Sequence, residues 1–238
     1  MPWRGVFILA LSISAACSNS SVEQISVQVP AQVKVPPDMV YIPAGEFIMG
    51  DSADPKTRGG EKVRLPAYLI DRYEMSVGKF RAAQTGAEMD GKDAFPATQV
   101  SFHRAEEFCA RNDKRLPTEA EWEKAARGTD GRKWPWNIFL QHPNDGFSGF
   151  IPEPVDKRKE WISPYGVYGM NHNVWEWTAD WYDYNGMPEK DARKFRTLRG
   201  GLMQTHTAIG FSTVYFRNWM APEAEYNFIG FRCAKDAS

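Results

Sequence analysis

Residues Arg115–Gly128 read RLPTEAEWEKAARG, the best-defined local signal in the chain. Thr118 followed three residues later by Glu121 is a capping box, in which each side chain satisfies a free backbone N–H at the start of a helix. Trp122, Ala125 and Ala126 recur at helical spacing and make the face to be buried, and Gly128 suits the position past the last turn. Working upstream, Ser101 caps a second helix running to about Asn112, with Phe102, Ala105, Phe108 and Cys109 turned inward. Ser76 caps a third, to about Gln84, with Val77, Phe80 and Ala83 on one face and Gly86 beyond its end.

Short apolar runs surround these helices. Met39–Ile42 and Glu46–Gly50 flank Pro43-Ala44-Gly45 and carry the pattern of a hairpin. Gly59–Lys62 reads as a polar loop and Ala67–Ile70 as another strand. Residues 131–156 are irregular, and 163–184 are dense in aromatics, with Trp175, Trp177 and Trp181 expected to pack the core. Arg196-Thr197-Leu198 leads into Gly200-Gly201. About two dozen residues of mixed aromatic, polar and small character then precede a short strand, Phe228–Arg232. Such a long segment held between strands is functional or disordered, and its aromatics argue against disorder. The class is α+β with little regular structure, in one domain over 39–238.

Lysine and arginine total 29 against 30 acidic residues, so no basic excess points to nucleic acid. The first 17 residues read as a signal peptide: Arg4, an apolar core over Val6–Ile13 too short to span a bilayer, then Ser14-Ala15-Ala16 before Cys17. Small residues leading into a cysteine resemble a bacterial lipoprotein signal, in which Cys17 would be lipidated, although Ser14 stands where leucine is usual. A secretory signal cleaved nearby is the alternative. Residues 18–38 then read as a flexible linker, about 60 Å long if fully stretched. Export places the protein in the periplasm, and anchored to the outer membrane if Cys17 is acylated. In that oxidising compartment Cys109 and Cys233 are natural disulfide partners; two buried thiols are the alternative.

Four blocks, MVYIPAGEFIMG, VSFHRAEEFCARNDKRLPTEAEWEKAARG, SPYGVYGMNHNVWEWTADWY and LRGG…NFIGFRCA, occur in the order found in the sulfatase-modifying-factor, or formylglycine-generating enzyme, family. The chain resembles that family over about 39–235. The resemblance implies a variant of the C-type lectin fold and supports the Cys109–Cys233 bridge. It also implies a copper oxidase whose two cysteine ligands follow the Gly-Gly in a GGSW-x-C-x4-C pattern. Here those positions hold Thr205 and Gly210, which offer no thiolate, the soft ligand that selects Cu(I). No copper and no formylglycine-generating activity are therefore expected, and no catalytic residues are assigned. His103, His142, His172 and His206 lack a paired ligand spacing.

Calcium is the cation the resemblance implies. Asn137 with the Ile138 carbonyl, and Asp145-Gly146-Phe147 further on, resemble one family site with a shortened spacing between its halves, and oxygen donors suit a hard cation. An ordinary turn at Asn144-Asp145-Gly146 is the plainer reading of the second half of that set. The Val174 carbonyl and Glu176 match part of a second site, in which the family's first ligand falls on Gly169. The function this suggests is an exported, non-catalytic binding or regulatory protein acting on a protein partner, for example promoting type VI secretion signalling through a membrane kinase. Thr205, His206, Arg217, Trp219 and Tyr226 are the candidate partner-binding residues, with Glu223 and Glu225 beside them. The alternatives are a periplasmic enzyme of altered chemistry, as in siderophore maturation, and a variable ligand-binding lipoprotein.

Overall fold

A computed structural model describes residues 24–54, 57–85, 92–136, 152–184, 187–204, 209–211 and 213–237. Its centre is a four-stranded sheet in the order β10-β5-β6-β9, formed by β5 (Trp175–Trp181), β6 (Arg196–Gly200), β9 (Asn218–Met220) and β10 (Ile229–Gly230). β10 runs parallel to β5, and the other pairings are antiparallel. A second sheet joins β1 (Met39–Ile42), β4 (Tyr68–Asp71) and β11 (Ala234–Asp236) with β4 in the middle. Two ribbons complete it: β2 (Gly45–Met49) with β3 (Glu61–Leu65), and β7 (Leu202–Gln204) with β8 (Ile209–Phe211).

The expected hairpin across Pro43-Ala44-Gly45 does not form. β1 pairs with β4 and β2 with β3, so the corner carries the chain from one sheet to another. Lys124 holds that corner, its Nζ donating to the carbonyls of Pro43 at 2.7 Å and Gly45 at 3.0 Å. The polar stretch read as a loop at 59–62 runs into β3, whose first two residues, Glu61 and Lys62, are exposed and carry no apolar signal.

α1 (Val77–Thr85) and α2 (Phe102–Arg111) form as expected, although Ala83 of α1 is exposed. Ser101 caps α2, and its buried residues are Phe102, Ala105, Phe108 and Cys109. That helix closes one face of the central sheet, packing with Trp175, Trp177, Leu198, Ile229 and Phe231. Trp181 differs from the other two tryptophans of β5: it is half-buried, with the Arg196 guanidinium 3.6 Å from its ring centre.

α3 (Glu119–Arg127) carries the full capping box on Thr118 and Glu121. Its burial exceeds the predicted stripe, since Glu119, Glu121, Glu123, Lys124 and Arg127 are buried along with Trp122, Ala125 and Ala126. A helix can be enclosed on all sides only if its polar groups are paired, and here they are. β5 makes room for the start of α3 by a break in register between Trp177 and Trp181. In that break Ala179 N–H donates to Pro117 O, and Asp180 accepts from the Glu119 amide at 2.6 Å.

Residues 24–38, expected as linker, lie on the domain. The Ile25 amide donates to Pro164 O at 2.8 Å, and Val27, Val33 and Val35 pack beside Met39, Tyr41 and Leu69. Alternating valines in this stretch were the signal for contact; the prolines around them read as linker. Among the described residues no helix is long and apolar enough to cross a membrane.

Candidate functional site

The face of the central sheet under α3 is charged. Glu176 and Thr178 of β5 and Thr197 and Arg199 of β6 all point toward it, and all are buried. Arg199 Nη2 donates to Glu123 Oε2 at 2.5 Å and to Val214 O at 2.7 Å. The other Glu123 oxygen accepts from Gly50 N and Arg127 Nη1, both at 2.7 Å. Arg127 continues outward to the carbonyls of Ile48, Gly50, Gly131 and Arg132. One carboxylate thus ties α3, β6 and the end of β2 together.

A second buried group lies toward β10. Arg232 donates to Glu176 at 2.6 and 2.7 Å and to the carbonyls of Asp71 and Tyr168. Trp122 Nε1 also donates to Glu176, at 2.9 Å. Beside them stands Glu74, whose oxygens accept from Asn173 Nδ2 at 2.6 Å and Val174 N at 3.3 Å. Burial, reinforced by the neighbouring Glu176 and opposed by Arg232, pushes the Glu74 carboxyl up to about 8.

At the N-terminal end of α3, Glu119 is gripped by Arg217 Nε at 2.9 Å and Arg58 Nε at 3.0 Å. Burial opposes its ionisation, but Arg199, Arg217 and Arg58 outweigh it and hold the carboxyl below its ordinary value. Both arginines also reach Asp183, at 3.0 and 2.7 Å. Arg217 is 6% exposed, so this predicted surface residue is scaffold. Trp219 and Tyr226 are exposed, at 43% and 48%. Trp219 leans on Phe195 and Tyr182, with ring centres 4.5 and 6.0 Å away, and Tyr226 stacks on Phe228 at 5.1 Å. Glu225 and Glu223 are exposed and face Arg104 and His103 of α2.

After Arg199, Gly200-Gly201 turns the chain into the β7–β8 ribbon. Gly201 has φ +71°, and a β-carbon there would come within 2.6 Å of the Trp175 ring, so nothing larger fits. Gly210 pairs with Met203 in that ribbon. Thr205 and His206 lie outside the described residues, as do Cys17, Asn137, Ile138, Asp145 and Phe147. Cys109 and Cys233 form a disulfide with Cα atoms 5.7 Å apart. It joins α2 to the start of β11 across 124 residues, which on the chain-entropy model stabilises the fold by about 4–5 kcal/mol.

Val174 and Glu176 meet in the Glu74 group, which the sequence reading missed; a lone glutamate after Tyr73 gave no signal. A hard cation there would have to share Glu176 with Arg232 and Trp122 and displace the donors on Glu74. Gly169, at φ +71°, leaves no room for the family's acidic or amide ligand, since a β-carbon would stand 2.9 Å from Glu74 Cδ. Among the described residues no three His, Cys, Asp or Glu side chains converge on a metal site.

Residues 25–237 match the Sulfatase-modifying factor enzyme 1-like domain. The chain belongs to that family. It is 30% identical over 275 residues to the inactive C-alpha-formylglycine-generating enzyme 2 of Mus musculus, covering 84% of this chain and 86% of the mouse protein. It spans only part of two other relatives. One is the uncharacterized protein YfmG of Bacillus subtilis, 26% identical over 265 residues, 83% of this chain and 54% of YfmG. The other is the serine/threonine-protein kinase Pkn1 of Chlamydia trachomatis, 28% identical over 238 residues, 84% of this chain and 38% of the kinase. The fold is that of PvdO from Pseudomonas aeruginosa, with a TM-score of 0.66 at 24% identity over 88% of this chain and all of PvdO. The expected formylglycine-generating-enzyme-like, mixed α+β architecture is thus the one the family and the structure have.

Proposed function

We propose that this protein is an exported binding or regulatory member of its family, acting on a protein partner in the periplasm or at the outer membrane without copper oxidation. The fate of the thiols carries the reading. Of three cysteines, Cys109 and Cys233 are bonded to each other, and Cys17 stands at the end of the segment read as a signal peptide. The positions after Gly200-Gly201 where the family's copper ligands belong hold Thr205 and Gly210. Hydroxyl and hydrogen cannot replace a thiolate pair for Cu(I). The mouse relative's description as inactive is in keeping with this.

Trp219 and Tyr226 are the anchors of the partner surface, since large aromatic side chains carry interface energy out of proportion to their number. Arg217, held by Glu119 and Asp183, lies over the Tyr182 ring, on which Trp219 leans. The partner is a signalling protein such as a membrane kinase that governs type VI secretion; the match to part of a serine/threonine kinase supports that class of partner. The calcium of this reading would be held by Asn137, Ile138, Asp145 and Phe147, whose oxygen donors suit a hard cation.

The test is a chromosomal deletion scored for kinase-dependent threonine phosphorylation. The wild-type chain should restore the signal, and a Trp219→Ala/Tyr226→Ala chain of unchanged melting temperature should not. Full rescue by that double variant would remove the partner surface. A thermal shift on adding Ca2+ that is lost in Asp145→Asn would support the calcium site, and no shift would remove it.

A further inference from the structure

Four aromatic rings stand in a row where the central sheet ends at β9. Tyr184 lies 6.3 Å from Tyr182, Tyr182 lies 6.0 Å from Trp219, and Trp219 lies 4.5 Å from Phe195, centre to centre, each pair tilted by 40–50°. Tyr184 and Trp219 are 44% and 43% exposed, and Tyr182 is half-buried between them. Rings tilted in this way form ridges with gaps between their exposed edges. The Arg217 guanidinium lies 4.8 Å from the centre of the Tyr182 ring. Both Arg217 and Arg58 are spent on Glu119 and Asp183, so the cations against the row are neutralised. The Tyr182 and Tyr184 hydroxyls and the Trp219 indole N–H engage no described residue, which leaves three hydrogen-bond donors along the row.

These features select among the ways a protein holds a partner segment. Addition of a strand needs open backbone donors. Although β9 ends the sheet, its Trp219 amide already donates to Asn218 Oδ1 at 2.9 Å. An acidic or phosphorylated segment needs uncommitted arginines, and those at the row are paired. A docked helix needs an apolar groove, whereas this row carries polar donors. A polyproline II segment meets each condition. Its prolines lack N–H groups, its carbonyls are exposed acceptors, and it advances about 6.2 Å for every two residues. The ring spacings of 6.0 and 6.3 Å match that step. We propose that the Tyr184–Tyr182–Trp219 row receives a proline-rich, extended segment of the partner, two residues to each gap between rings. The inference rests on the reading of Trp219 as a partner anchor given above.

The experiment titrates the full chain, disulfide intact, into a dye-labelled peptide of about a dozen prolines and follows fluorescence anisotropy. Binding should saturate, weaken about tenfold or more in Trp219→Ala and about fivefold in Tyr184→Ala, and change by less than about twofold when salt is raised. Both side chains are exposed, so the two variants should keep the wild-type melting temperature. A Gly-Ser peptide and a glutamate-rich peptide of the same length should each bind at least about tenfold more weakly. No saturable binding of the proline peptide, equal binding of the Gly-Ser peptide, or unchanged affinity in Trp219→Ala would overturn the proposal. The complementation assay separates this result from the partner reading. If the proline peptide does not bind while the Trp219→Ala/Tyr226→Ala chain still loses the phosphorylation signal, the partner surface stands and proline recognition falls. If the peptide binds and that double variant rescues fully, the row takes proline segments and the kinase-partner reading falls.

Discussion

The two faces of the central sheet are built from opposite materials. Toward α2 the contacts are aromatic and aliphatic, with Phe102, Phe108, Trp177, Leu198 and Phe231 closed by the Cys109–Cys233 bridge. Toward α3 the sheet presents Glu176, Arg199 and Thr178, and the helix answers with Glu119, Trp122 and Glu123. The apolar face is stabilised by area removed from water and tolerates rearrangement. On the charged face, desolvation is offset only while each group keeps its partners, so that face fixes geometry more than it adds stability. Past Arg199 the chain leaves the sheet through Gly200-Gly201 and enters the β7–β8 ribbon.

Substitutions should separate the two faces. On the apolar side, Trp177→Ala creates a cavity and orphans the Val100 carbonyl now bonded at 2.9 Å, and should cost about 4–5 kcal/mol in urea unfolding. On the charged side, Glu123→Ala leaves Arg199 and Arg127 without their carboxylate and should cost about 3–4 kcal/mol. The Glu123→Leu/Arg199→Met pair should recover more than half of that loss. If the double variant is as unstable as the single, the charged layer contributes stability directly and the contrast fails.

pH should distinguish two acids on the same face. Glu119 is held below its ordinary value of 4.5, so it contributes stability above that pH which is lost as pH falls through its folded value. Glu74 has the opposite sign. Its folded value of about 8 means the unfolded chain releases a proton that the folded chain keeps, so stability falls as pH rises from 4.5 to about 8. In metal-free buffer Glu119→Gln should flatten the acid limb of the melting-temperature profile, and Glu74→Gln the decline toward pH 8. Parallel slopes in the two variants would contradict the arrangement. The smallest expected effect is at Asn171, fully buried with neither amide atom partnered among the described residues. Asn171→Leu should be neutral or stabilise by about 1–2 kcal/mol. A loss of similar size would mean that an ordered water or ligand binds the amide.

The same contrast governed what could be read from the sequence. Ser101, Phe102, Ala105, Phe108 and Cys109 announced α2 and its inward face, because periodicity marks apolar burial. The capping box marked the start of α3 to the residue. That helix's charged residues gave no sign of burial, since Glu119, Glu123 and Arg127 look like a solvated face until their partners, scattered from Gly50 to Arg217, are brought together by the fold. In β5, Trp-Glu-Trp-Thr alternates as a half-exposed strand would, yet Glu176 is as buried as Trp177. Residues 24–38 escape the sequence for a third reason: their prolines and polar residues suit a linker, and only the contacts with Pro164 and Gly128 reveal where they dock.

The most direct test of the account is copper-dependent oxidation of a cysteine peptide by the folded, disulfide-intact chain. After Cu(I) loading and removal of unbound metal, the protein should retain less than stoichiometric copper and form no aldehyde on the peptide. One copper per chain together with aldehyde formation would contradict the account, and would require a thiol-independent copper site in the segment that follows Gly201.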